Sequence, residues 1–217
     1  MDTMLSKALR EFTTGPLNQL IVNLSGHDGE LWEREFKRFL RKEFCWHNGR
    51  RTQEIVIPAA TSWFFVREKF VCDSSYQAKV RIHDISEFFT LWFLSGDGKI
   101  EGPISEQTLL CYKLSQPLTD GPIIDGLGGV AKVETTLSEM FYLMEKQGRG
   151  ESGILLNNGY SNIFYVKDQG GTLRSIGVRW ESHDERTDSG WEVHAYHATA
   201  TSALWDPGHQ VFYRSNS

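Results

Sequence analysis

A chain of 217 residues with 23 basic and 28 acidic side chains and a net charge of −5 is long enough for one large domain or a small module plus a domain. It is not basic overall, so any nucleic-acid contact must come from a local patch. Seven Trp and thirteen Phe can fill a sizeable core, and glycine and proline are too few for a disordered chain.

Residues 16–22 are compact and apolar and read as a helix that Ser25 and Gly26 break. A second helix is predicted over residues 29–43, with Ser25 or Asp28 as its cap. Leu31, Trp32, Phe36, Phe39 and Leu40 recur there at helical spacing, and Glu33 precedes Lys37 by four residues, a favourable pair. Residues 47–51 read as a turn or boundary. Beyond it, residues 54–58 predict a short strand, 62–70 fit either helix or strand, and 78–83 alternate as a strand. Residues 86–93 read as a short buried helix capped by Asp84 or Ser86 and ended at Gly96-Asp97-Gly98. Residues 108–114 predict another strand; 120–122 and 126–129 read as turns.

Thr136-Leu137-Ser138-Glu139 is a capping box. The threonine hydroxyl can take the third amide while the glutamate reaches back to the threonine amide. Leu137, Met140, Phe141 and Met144 follow as one buried stripe, and Gly148 stops the helix. Residues 153–215 read as an antiparallel meander with strands at 154–156, 163–166, 172–180, 191–198 and 210–214 and a charged loop at 182–190. Ile176, Val178 and Trp180 share one strand face, the expected partner surface for the Thr136 helix.

Little in the chain looks like chemistry. His194 and His197 stand three apart, but the alternation of Trp191, Val193 and Ala195 marks a strand, in which such residues point to opposite faces and cannot share an ion. His194 then lies with Glu192 and Tyr196. Asp125-Gly126-Leu127-Gly128-Gly129 with Lys132 completes neither phosphate-loop pattern. No GxSxG or HExxH occurs, Cys45 and His47 are merely adjacent, and Asp184, Glu185 and Asp188 match no calcium loop. Cys45, Cys72 and Cys111 include no CxxC pair and read as thiols in a reducing compartment. The first residues carry no apolar signal core. The longest apolar run, near Phe88, is far short of the about 20 residues a bilayer needs, so a cytoplasmic location without membrane contact is expected.

The strongest local bias is basic. Lys37, Arg38, Arg41, Lys42, Arg50 and Arg51 are interleaved with Phe36, Phe39, Phe44 and Trp46. Such a face could follow phosphates while an aromatic stacks on a base; the plainer reading is a solvated helix face. The motifs Leu24-Ser25-Gly26, Asp28 to Trp32 and Glu35 to Glu43, with Leu155 to Val166 and Gln210 to Ser217, resemble those of a group of uncharacterised hypothetical proteins from small-genome bacteria. In that group the first motif precedes varied downstream segments, which implies a portable N-terminal helical module. No activity attaches to the group, so none carries over.

The expected fold is α+β: a helical module at residues 1–48, then a domain at 52–217 with a mainly antiparallel sheet and a packed helix. The expected function is a non-catalytic module binding a protein or small ligand through the sheet or its loops, with no cofactor and no metal. Tyr160, Tyr165 and Tyr196 are candidate exposed aromatics. The first alternative is nucleic-acid binding through the basic helix; the second is an enzyme whose site is assembled from distant residues.

Overall fold

The computed structural model describes residues 16–40, 51–182, 189–198 and 204–215. The chain divides into two compact units, Met1–His47 and Asn48–Ser217. In the first, helices α1 (Pro16–Ser25) and α2 (Gly29–Leu40) form a hairpin. A Cβ on Gly29 would lie 2.2 Å from the Leu24 carbonyl oxygen, so this tight junction requires glycine. The expected extension of α2 to Glu43 lies outside the described residues.

The second unit is an α+β domain around a seven-stranded mixed sheet in the order β1-β5-β11-β7-β8-β9-β3. The strands are β1 (Arg51–Ile57), β3 (Ile82–Ile85), β5 (Gln107–Lys113), β7 (Asn162–Lys167), β8 (Leu173–Glu181), β9 (Gly190–His197) and β11 (Gln210–Arg214). Two short pairs flank it: β2 (Phe64–Phe65) with β4 (Ile100–Glu101), and β6 (Leu118–Thr119) with β10 (Leu204–Trp205). One sheet face carries Phe164, Ile176, Val178, Trp180, Val193 and Phe212, which pack with Leu137, Met140, Phe141 and Met144 of helix α7 (Leu137–Lys146). The expected stripe and its partner face therefore meet, and both halves of the Thr136–Glu139 capping box form. The opposite face carries Ile163, Tyr165 and Val211 against α5 (Asp120–Gly126) and α6 (Val130–Val133).

Several local expectations are corrected. The C-terminal strands are not a simple meander: β7, β8 and β9 pair in turn, but β11 crosses back between β5 and β7, antiparallel to one and parallel to the other. Gln210 to Phe212 are buried without alternation, which suits an interior strand covered on both faces. Residues 154–156 form no strand. There the Gln147 side chain takes over the ladder's role, its Oε1 accepting from Leu155 N at 2.7 Å and its Nε2 donating to Leu155 O at 3.0 Å. The strand expected at 78–83 begins only at Ile82, because Arg81 N is drawn to Gly148 O at 2.8 Å. Residues 120–122 open a helix instead of making a turn; Pro122 sits in its first turn, where no N–H is needed. Residues 62–70 are both things at once, the β2 strand running straight into α3 (Val66–Lys69). The helix after Ser86 is a single turn, α4 (Glu87–Phe89), continued by a π-turn at Thr90–Leu94.

Candidate functional site

A concavity of about 330 Å³ lies between the β2–β4 pair and α7. Its wall carries Trp63, Phe64, Phe141 and Tyr142, with Ile57, Ala60 and Ile104 behind them and Glu68, Lys69 and Glu145 at polar positions. Small residues from Pro58 to Ala60 leave the space open, and the Ala60–Ile104 bridge fixes that loop. Trp63 is 62% exposed, and its ring would lie within 4 Å of a Cβ placed on Gly102. Phe64 turns inward, its ring centre 5.8 Å from that of Phe141. Lys69 Nζ lies 5.8 Å from the Phe141 ring centre, and Glu145 is held by Lys79 at 2.8 Å.

A buried carboxylate joins the two sides of this wall. Glu101 on β4 accepts from the amides of Leu137 and Ser138 at 3.0 and 2.8 Å and pairs with Lys99 at 2.9 Å. It thereby ties the strand pair to the N-terminus of α7, satisfying amides that a helix leaves open and placing a negative charge where the helix favours one.

The histidines divide as the strand reading requires. His197 points to the α7 side, where its ring meets Phe88 and Trp92 and its Nδ1 lies 2.7 Å from Arg174. His194 points to the other side with Glu192 and Tyr196, its Nε2 2.9 Å from Asp84 Oδ2 and its Nδ1 3.4 Å from the Tyr196 hydroxyl. Beside this line, Arg179 holds Glu192 at 2.6 Å. Burial raises the Tyr196 phenol above its usual range, an effect that Arg179 opposes. His209 Nδ1 accepts from Ser161 N at 2.8 Å, and burial pushes its pKa below the usual value while Asp206 pulls the other way. Among the described residues, no group of three His, Cys, Asp or Glu side chains could hold a metal ion.

Tyr165 is not the exposed aromatic expected. It is buried and donates to Asp120, and burial together with that carboxylate raises its phenol far above the usual range. Tyr160 is exposed, whereas Tyr196 is half-buried. In the basic segment, Lys37 lies 2.6 Å from Glu33. The side chains of Arg38 and Arg51, and the whole of Arg41, Lys42 and Arg50, lie outside the described residues, as do Cys45, His47, Asp184, Glu185 and Asp188.

Sequence reasoning missed the pocket. Its one local signal was the aromatic run Trp63-Phe64-Phe65 in a segment of mixed character; the α7 side of the wall is some 75 residues further on. Among the described residues no helix is long and apolar enough to cross a membrane. Comparison with protein-family models, curated proteins and solved structures returned no match for the chain.

Proposed function

We propose that this protein is a non-catalytic binding module whose ligand is a small apolar molecule with one polar end, held in the pocket between β2–β4 and α7. The observation that carries this reading is the exposed Trp63 ring, which lines a concavity of about 330 Å³ together with Phe64, Phe141 and Tyr142. That volume lies at the small end of the usual range for ligand sites, and polar groups at such a site orient the ligand. Glu68 and Lys69 are those groups here. Calorimetric titration with indole, benzylamine and benzoate tests the reading, the last two reporting which charge the rim prefers. Saturable binding of at least one probe that Trp63→Ala abolishes supports it; failure of all three, or unchanged binding by the variant, removes it.

Nucleic-acid binding through α2 has the basic run for support, although Lys37 is already committed to Glu33. It requires affinity that falls steeply with salt and is lost on charge reversal at Arg38 and Arg41. The enzyme reading draws support from the Asp84–His194–Tyr196 line, which joins residues 110 positions apart.

A further inference from the structure

On the side of the domain where residues 76–82 run beside 147–151, two arginines face one tyrosine. The guanidinium carbons of Arg81 and Arg149 lie 5.1 and 5.3 Å from the ring centre of Tyr76. Tyr76 is 74% exposed, whereas Arg81 is only 8% exposed. The backbone holds Arg81 in place: its N–H donates to Gly148 O at 2.8 Å and its carbonyl accepts from Trp191 N at 2.8 Å. Among the described residues no carboxylate pairs with Arg81 or Arg149, and the buried Arg81 Nε has no hydrogen-bond partner. The acids nearest in the chain are engaged elsewhere. Glu145 holds Lys79, Glu151 accepts from the Arg149 backbone amide, and Asp73 accepts from Ser75 N.

A buried guanidinium is costly unless an anion and full hydrogen bonding compensate it, and two cations beside one ring also repel each other. Cation–π contact with Tyr76 offsets only part of this. An oxyanion that accepts from both forks removes both costs. A doubly charged tetrahedral anion suits the pair better than a carboxylate, because each guanidinium can engage two oxygens. We propose that Arg81, Arg149 and Tyr76 form a binding site for the phosphate group of a small phosphorylated ligand, separate from the aromatic pocket.

Inorganic phosphate and pyrophosphate are the probes, titrated into the full chain while the arginine Nε–H signals are followed by NMR, with chloride at matched ionic strength as the control. The expected result is a saturable shift of the Arg81 and Arg149 signals with phosphate, stronger with pyrophosphate and absent with chloride. Arg149→Gln, a change at an exposed side chain, should weaken phosphate at least about tenfold and leave the rest of the spectrum unchanged. Arg81→Lys, which keeps the charge and loses the fork, should weaken it as well. No saturable shift up to about 10 mM phosphate, a range that covers weak millimolar sites, would overturn the proposal. So would equal shifts with chloride, or unchanged affinity in Arg149→Gln.

Discussion

Asp120 offers the sharpest test of how the second layer is held on the sheet. It is wholly buried at the first turn of α5. Its Oδ1 accepts from Tyr165 Oη and Trp205 Nε1, both at 2.8 Å, and its Oδ2 accepts from Ser175 Oγ at 3.0 Å. Asp120→Ala strands three buried donors, each costing about 1–3 kcal/mol when unmet, so a total loss of about 3–9 kcal/mol is expected. Asp120→Asn is different in kind. An indole N–H cannot reverse its role, so the amide oxygen must take the Oδ1 position; the amide NH₂ then faces Ser175, whose hydroxyl can turn to accept. All three contacts survive at reduced strength, for a cost of about 1–2 kcal/mol. Urea unfolding of the three proteins, read as shifts in midpoint at constant slope, checks both numbers. An alanine loss under about 1 kcal/mol, or an asparagine variant as unstable as the alanine one, would refute the reasoning.

Four further outcomes are expected. Phe141→Ala removes a 5% exposed ring packed on Phe64 and Phe70; the loss should fall near about 3 kcal/mol, the low end for such changes, because the space opens into the pocket and admits water. Calorimetric unfolding would contradict this packing with a loss well under about 1 kcal/mol. Thr136→Ala breaks the capping box on α7 and should cost about 1 kcal/mol by the same assay. Because burial lowers the His209 pKa from 6.5, the folded state binds fewer protons than the unfolded one just below that value. Its contribution is therefore present above about pH 6.5 and lost as pH falls; His209→Gln should flatten the decline between pH 7 and pH 5, about the histidine range, and an unchanged slope would refute the assignment. At neutral pH, long-range ¹⁵N spectra should show His194 as the Nε2–H tautomer directed at Asp84, and the Nδ1–H tautomer would break the proposed line to Tyr196.

Elements with strong local periodicity were legible in the sequence, and so was what they bury. The Thr136 helix carried its own cap and stripe, and the alternation of Ile176, Val178 and Trp180 named its partner face. The opposite faces of His194 and His197 followed from the two-residue period alone. What failed to show was everything set by distant partners. Gln147 holds residues 154–156 out of a strand, Gly148 delays β3, and the crossover of β11 depends on layers on both faces of the sheet. The pocket and the Tyr76 cluster were illegible for the same reason: Trp63 and Phe141 come to line one pocket, and Arg81 and Arg149 to flank one Tyr76 ring, only once β4 is tied to α7 and residues 76–82 lie along 147–151.

The central claim, a ligand seated beneath Trp63, is tested most directly at that ring. The chain has seven tryptophans, and comparison with Trp63→Phe identifies the Trp63 indole N–H signal among them. On titration with indole, benzylamine or benzoate, the account predicts that this signal moves saturably together with those of Phe141 and Tyr142, while the buried Trp191 and Trp205 stay fixed. A Trp63 signal that does not move with any of the three, or shifts spread evenly over all the tryptophans, would contradict it.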